Sequence, residues 1–431
     1  MKKTSNVSPA RSVAFDLVRG VLARRHALDE ALAAHDGFRR LPGRDRGFAR
    51  LISATVLRRC GQIDALIDAC LEKPLPRQAD AVRDIMRLAV AELVFLGVQA
   101  HAAVDSAVTQ VESRGHGKFK GLVNAVLRRI SREGTDRLSS LPDRLNFPEW
   151  MIAGWVDGFG EAVADQIASA SLKEPPLDIS VTADTAEWAK KLDAEILPTG
   201  SLRRGFDGLI TELPGFEEGA WWVQDAAAAI PARLLGDVSG LDVFDICAAP
   251  GGKTAQLAAL GARVTAVDRS EKRLRRLMRN IERLGLSAST VTADATEWQP
   301  PVLADAILLD PPCTSTGTIR RHPDILHLKS RNDIAKLSDL QSKLLSGAAK
   351  MVKPGGTLIY CTCSMQREEC EDVVARFLDT ASSFQRKAIT PEDVGGLGDL
   401  VTSNGDLRTL PFHLADKGGL DGFYAARLVR S

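Results

Sequence analysis

Apolar positions recur along this chain with several rhythms, and each rhythm marks a region. From Ser8 to about Ile130 they fall at helical spacing. Val13, Leu17, Val21 and Leu28, with Val18 and Leu22, form one stripe, and Val82, Ile85, Leu88 and Leu93 form another. Pro42-Gly43, Lys73-Pro74 and Gly115-His116-Gly117 punctuate them. The pattern predicts a bundle of five to seven helices behind a frayed start over residues 1–7. Residues 131–150 are a polar connector ending in Asn146-Phe147-Pro148-Glu149-Trp150. Residues 151–225 mix short apolar helices (Trp155, Phe159, Ala162, Ile167) with a helix from Ala186 to Leu192. Strand-like runs stand among them at Leu177–Val181, Gly208–Thr211 and Trp221–Val223, which together predict a small α+β subdomain of the sort that lies beside a nucleic-acid groove.

From Asp225 onward strands and helices alternate. Strands end near Cys247, Asp268, Asp294, Asp310 and Cys363, with helices near 252–260, 270–284, 331–352 and 367–379. Two last strand-like runs follow, Leu407–Phe412 and Gly422–Val429. Such alternation predicts a parallel sheet covered on both faces and closed by an antiparallel hairpin strand. The expected architecture is an α/β Rossmann-like domain over 226–431, behind an all-α domain over 1–140 and the α+β subdomain over 141–225.

Ligands of open α/β sheets bind beyond the carboxyl ends of the strands, and all five strand ends here carry a polar or reactive side chain. The first is Asp245–Thr254, DICAAPGGKT, in which a strand runs through a Pro-Gly-Gly turn into a helix start. Glycine lets the backbone approach a ligand, and unpaired N–H groups at the helix start face it. A P-loop is excluded because its leading glycine would fall at Cys247, and the dinucleotide triplet G-x-G-x-x-G is absent. The second strand ends in Asp268, an acid suited to a ribose diol, and the third in Asp294, placed for an adenine amino group. Adenosine without a phosphate cradle points to S-adenosylmethionine.

Charge and cysteine content narrow the setting. The net charge of +1 predicts no partner by itself. Residues 1–150, however, hold 25 Lys/Arg against 17 Asp/Glu, so the front of the chain is basic and the body mildly acidic. Arg39, Arg40, Arg44, Arg46 and Arg50 cluster around one loop, and Lys118, Lys120, Arg128 and Arg129 flank the last bundle helix, as phosphate contacts would. The basic helix Arg269–Arg283 (Lys272, Arg273, Arg275, Arg276, Arg279, Arg283) reads instead as a solvated outer face. Arg320-Arg321-His322 reads as a phosphate or substrate contact. Seven scattered cysteines predict a reducing cytoplasm. No run reaches the length of a membrane span, and no metal site is expected, because Cys361-x-Cys363 lacks completing ligands.

Two thiols stand at strand ends. Asp310-Pro311-Pro312-Cys313 follows the fourth strand and Cys361-Thr362-Cys363-Ser364 ends the fifth; as neighbours of the first strand, both ends should overlook the methyl group. Carbon 5 of a pyrimidine is a poor nucleophile, but a thiolate added to carbon 6 makes the ring an enamine that can attack a sulfonium methyl. Only about 3% of an unperturbed thiol is ionised at pH 7, so the site must lower that pKa or supply a base. Asp310 is within motif reach of the ring's N3, and Lys253 can hold the base carbonyl. Cys60 and Cys70, on helices, read as small buried hydrophobes. The residues alone do not order Cys313 and Cys363.

DICAAPGGKT, AVDRS, TADAT, LLDPPCTSTGTIRRHPD and GGTLIYCTCS resemble the successive motifs of the RsmB/Sun (Nol1/Nop2/Sun) RNA cytosine-C5 methyltransferases, and the helical front resembles the NusB-like RNA-binding module. The resemblance implies a class I methyltransferase fold, a cytoplasmic and monomeric enzyme, and small-subunit (16S) ribosomal RNA as substrate. It implies S-adenosylmethionine binding at Cys247, Ala248, Ala249, Pro250, Gly251, Gly252, Lys253, Asp268, Asp294 and Asp310, with Arg273 counted among them. It also implies that Cys363 is the nucleophile and that Cys313 assists product release. DNA cytosine methylases use the Pro-Cys thiol instead, so a DNA or transfer-RNA methylase and a non-catalytic RNA-binding assembly factor stand as alternatives. The chain departs from the pattern in three places. Pro311 stands where alanine is frequent, and Cys361 stands where Ala or Ser is usual and could confuse a labelling experiment. The RVN-like strand here reads Ile179-Ser180-Val181-Thr182.

Overall fold

A computed structural model describes residues 7–205 and 208–431; most of the frayed start expected over 1–7 lies outside that range. The chain divides into two compact units. The first comprises residues up to Ala153 with Ser171–Lys173 and Ile319–Lys329, and the second holds the rest.

Among the described residues eight α-helices build the body of the first unit, more than the periodicity predicts. They are α1 (Pro9–Leu22), α2 (Leu28–Ala34), α3 (Asp36–Arg40), α4 (Gly43–Arg58), α5 (Cys60–Asp68), α6 (Asp80–Val90), α7 (Ala100–Ser113) and α8 (Lys120–Leu138). The excess comes from chain breaks that a hydrophobic stripe runs straight across. His35 ends α2 and starts α3, its ring nitrogen accepting the Phe38 N–H at 3.1 Å, and Arg59 separates α4 from α5. Val13, Leu17, Val21, Val82, Ile85 and Leu88 are buried in one core, as their spacing requires. Arg39, Arg40, Arg44, Arg50, Lys118, Lys120, Arg128 and Arg129 are exposed on this unit.

Arg320 is buried at 1% exposure in the first unit, and its carbonyl accepts from Arg58 at 2.8 Å. It is therefore not the open phosphate contact expected of it. His322 lies 3.5 Å from Asp29. Asp324 accepts the Leu28 N–H, and the His327 ring bonds the Leu57 carbonyl, so the whole segment is tied into this bundle.

The helices α9 (Glu149–Phe159) and α10 (Glu161–Ser171) precede a small antiparallel sheet in the second unit. Its strands are β1 (Leu177–Val181), β2 (Glu195–Ile196), β3 (Leu202–Arg204) and β4 (Trp221–Val223), in the order β2-β3-β1-β4, with α11 (Thr185–Lys191) between β1 and β2. β1 and β4 match the sequence reading. The run expected at Gly208–Thr211 is no strand: a single turn of 3₁₀ helix covers Ile210–Glu212. β2 and β3 escaped notice because they lack the run of aromatic and β-branched side chains that marks the equally short β4. A buried ion pair holds this sheet: Arg203 grips Asp178 through Nε at 2.6 Å and Nη2 at 2.7 Å.

After α12 (Ala226–Arg233) comes the large sheet. In chain order it contains β5 (Asp242–Ile246), α13 (Gly252–Ala259), β6 (Arg263–Asp268), α14 (Glu271–Arg283), β7 (Ser289–Thr292) and β8 (Ala304–Leu309). After the short α15 (Ile325–Leu328) of the first unit follow α16 (Arg331–Met351), β9 (Val352–Thr362), α17 (Glu371–Thr380), β10 (Phe384–Arg386), β11 (Leu407–Thr409) and β12 (Phe423–Arg430). The order is β10-β12-β9-β8-β5-β6-β7, with β11 on β12. β5 to β9 pair in parallel, and β12 is antiparallel to β9. One expectation needs correcting. β8 neighbours β5, but β9 is one strand further out, beside β8. Apolar layers line both faces of this sheet, which is why its strands read as nearly unbroken hydrophobic runs.

Candidate active site

The site lies where β5, β6, β8 and β9 end. Leaving β5, the chain turns at Cys247 (φ +63°), passes a cis Ala249–Pro250 bond and reaches Gly251 (φ +104°), after which α13 begins. A side chain at Gly251 would place its Cβ 2.6 Å from Leu277 Cγ on α14, so only glycine lets this turn seat against that helix. Ala248 N–H donates to the Val267 carbonyl at 3.1 Å, locking the turn to β6. Beneath it, Asp245 is buried and accepts the Thr254 hydroxyl at 2.5 Å. Burial pushes that carboxyl up to about 7 in spite of the hydrogen bond. The Cys247 thiol is likewise raised by burial, to about 12.

Asp268, at the end of β6, is 3% exposed and fully engaged. It accepts the Ala249 N–H at 3.3 Å and the Ser270 N–H at 2.9 Å, and Arg273 lies 3.2 Å away. Arg273 also bonds the Ala249 carbonyl, so its half-exposed guanidinium lies across the acid. A diol that used Asp268 would have to displace that side chain. Asp294 is exposed beyond β7 and takes the Thr296 N–H and hydroxyl. Lys253 Nζ and Asp310 Oδ2 form an ion pair at 2.6 Å, spanning the exits of β5 and β8. Burial opposes the charge on Lys253, yet Asp310 beside it holds the ammonium above its ordinary range. On α14, Lys272, Arg275, Arg276 and Arg279 are exposed, whereas Arg283 folds back to the Phe216 and Trp221 carbonyls.

Cys313 and Cys363, fifty residues apart in sequence, meet with their sulfurs 3.4 Å apart. Cys313 is buried; Cys363 is half-buried. The hydrogen bond between the two sulfurs, in which either can donate, acts together with burial to push the Cys313 thiol well up. Two close backbone contacts bring them together. Gly317 N–H donates to the Cys363 carbonyl at 2.9 Å, and Gly422 N–H to the Gly317 carbonyl at 2.9 Å. A Cβ on Gly317 would lie 1.9 Å from the Gly422 oxygen, so the approach of these loops requires glycine there.

Cys361 is fully buried in the apolar layer, and burial raises its thiol well above the ordinary value. It would not compete in a labelling experiment, contrary to the expectation from sequence. Cys60 and Cys70, at and just beyond the ends of α5, are respectively buried and half-buried, and burial raises both thiols. Among the described residues no group of three or more His, Cys, Asp or Glu side chains could hold a metal, and no helix is long and apolar enough to cross a membrane.

Sequence reasoning missed Glu369, Thr314, Ser364 and Gln341, which join in one buried network behind the two thiols. Glu369 lies in Arg367-Glu368-Glu369-Cys370-Glu371, a run that looks like exposed surface. No pattern in it distinguishes the one acid that turns inward.

Comparison with known proteins gives the chain's family and fold. Residues 233–429 match the family model described as 16S rRNA methyltransferase RsmB/F, and residues 8–132 match the NusB family. A Synechocystis protein named "Probable ribosomal RNA small subunit methyltransferase B" is 34% identical, covering 98% of this chain and 99% of the relative. The Vibrio cholerae ribosomal RNA small subunit methyltransferase B is also 34% identical, over 97% of each chain. The crystal structure of PH0851 superposes with a TM-score of 0.76 at 25% identity, covering 99% of both chains. That of a methyltransferase homolog from Pyrococcus horikoshii reaches 0.56 at 28% identity, covering 68% of this chain and 99% of the other. The expected class I methyltransferase fold with a NusB-type all-α front is thus the fold observed. With relatives that match it from end to end, the chain belongs to the ribosomal RNA small subunit methyltransferase B family.

Proposed function

We propose that this protein methylates carbon 5 of a cytosine in small-subunit ribosomal RNA through a transient bond between Cys363 and carbon 6 of the base. The observation that carries the reading is the pair of sulfurs 3.4 Å apart beside the Lys253–Asp310 ion pair and the Gly251 turn. Relatives named for that RNA supply the substrate. The bundle over 1–140, with its exposed arginines, serves as the RNA-binding domain, 141–225 as a further RNA contact and 226–431 as the catalytic domain. The enzyme works as a monomer in the cytoplasm.

As a member of a methyltransferase family the chain uses S-adenosylmethionine, which when bound supplies the methyl group. The residues at the β5–β7 ends fit an adenosyl group. The Gly251 turn leaves the start of α13 facing the cleft, Asp268 and Asp294 offer carboxylates, and Arg273 can swing outward to admit a ribose.

The protein's own groups then act in order. Cys363, the less buried thiol, gives its proton to water and adds to carbon 6 as the thiolate, and N3 takes a proton by way of Asp310 while Lys253 holds the base carbonyl. While Cys363 bears charge, Cys313 stays a thiol. Once that charge is spent in the carbon–sulfur bond, Cys313 can release its proton to water. It then takes the carbon-5 proton as carbon 6 and sulfur part, with the C–H pair closing the ring double bond.

The test uses tritiated cofactor, transcribed small-subunit ribosomal RNA and a denaturing gel. Cys363→Ser should abolish turnover with no adduct, and Cys313→Ser should trap a covalent enzyme–RNA complex. A complex formed by the Cys363 variant instead would reverse the roles, and no label on RNA under any condition would remove the reading.

A further inference from the structure

Behind the two thiols lies a carboxylate that the steps above do not use. Glu369 is wholly buried in a single turn between β9 and α17. Oε1 accepts the Thr314 N–H at 2.9 Å and Gln341 Nε2 at 3.1 Å. Oε2 accepts the Ser364 hydroxyl at 2.6 Å and the Thr314 hydroxyl. All four of its acceptor positions are filled. Thr314 directly follows Cys313, and Ser364 directly follows Cys363. Gln341 Nε2 also holds the Pro312 carbonyl at 2.9 Å, so the first thiol is gripped on both sides. Buried Arg408 pins the Ser364 carbonyl at 2.9 Å from the opposite direction. Burying a carboxylate is costly, and a site that needed only to be filled would be served as well by an apolar side chain.

We propose that Glu369 is a positioning residue that sets the distance between the Cys313 and Cys363 sulfurs, and that it thereby governs release of the methylated base rather than its capture. The inference rests on the covalent reading above. Capture needs one sulfur, because Cys363 forms its bond to carbon 6 without the Cys313 thiol. Release needs both. The carbon-5 proton passes to the Cys313 thiolate, the C–H electron pair becomes the C5–C6 double bond, and the C6–S pair returns to Cys363. Proton transfer tolerates little misplacement, and a shift of about 1 Å can slow such a step roughly a hundredfold. A loosened clamp therefore lets adduct form and delays its breakdown.

The experiment compares wild type, Glu369→Gln and Glu369→Asp as full chains on transcribed small-subunit ribosomal RNA. It follows adduct on a denaturing gel and methylated product by tritium. Glu369→Gln keeps the shape but turns one acceptor into a donor. Its release rate should fall by about tenfold or more while adduct formation changes by less than about threefold, so adduct accumulates. Glu369→Asp, which retains the charge, should restore part of the release. Normal turnover in Glu369→Gln overturns the proposal, as does a parallel loss of adduct and product. Should that variant not fold, Ser364→Ala and Thr314→Val each remove one arm of the clamp, and wild-type adduct levels in both overturn it equally. If Cys313→Ser traps a complex and the Glu369 variants do not, the clamp alone fails. If Cys313→Ser traps nothing, the covalent reading fails and the clamp with it.

Discussion

Replacing Gly251 with alanine tests whether the turn after β5 is built as described. Two costs arise at once. The backbone stands at φ +104°, where an L side chain is strained by about 1–3 kcal/mol. The added Cβ also lies 2.6 Å from Leu277 Cγ and 3.2 Å from its Cδ1, and overpacking of that kind costs about 1–3 kcal/mol. Leu277 is fully buried and has nowhere to retreat. The expected destabilisation is therefore about 2–6 kcal/mol, read as a lowered melting temperature or denaturant midpoint, with cofactor affinity measured by calorimetry falling alongside. The two contributions separate in a double-mutant cycle with Leu277→Ala. That change alone costs about 2–5 kcal/mol, and it removes Cγ and Cδ1, the two atoms closest to the new methyl. The pair should thus be less damaging than the sum by about 1–3 kcal/mol, the steric share, while the conformational share remains. A Gly251→Ala protein that melts and binds like wild type would refute the account of the turn. Strict additivity in the cycle would refute the role of Leu277.

Two further outcomes follow from buried charges. Asp178→Ala leaves the Arg203 guanidinium, which is 4% exposed, with only the Lys417 and Gly419 carbonyls and should cost about 3–5 kcal/mol in denaturant unfolding, whereas Asp178→Leu paired with Arg203→Met removes the uncompensated charge and should lie closer to wild type. Equal losses from the single and paired changes would contradict this. The Asp245 carboxyl is raised from 3.8 to about 7, so the folded protein holds its proton where the unfolded chain has lost it. Its contribution therefore favours folding at low pH and is lost as pH rises from about 4 to about 7, by up to about 4 kcal/mol. Asp245→Asn should flatten that part of the pH–stability curve and gain most above pH 7; an unaltered slope would show that Asp245 ionises normally.

How much of this was legible beforehand follows from the range of the interactions involved. Period and punctuation are local, so they located the helical front, β1, β4 and the alternation of the catalytic domain. Each strand end from the DICAAPGGKT turn to Cys363 already carried a polar or reactive side chain in a contiguous motif. Short elements such as β2 and β3 were invisible because neither carries a run of strand-forming side chains as β4 does. Strand order was not local either: β9 belongs beside β8 and not β5, a choice made by packing between distant segments. The same holds for side-chain fate. Arg320 and Glu369 sit in polar runs that look solvated, yet both are buried by partners many residues away. The chain itself determined that two thiols, Cys313 and Cys363, follow strands of the large sheet. Only the tertiary structure decided that they meet at 3.4 Å, because that distance is set by glycine contacts and a buried carboxylate joining loops some fifty residues apart.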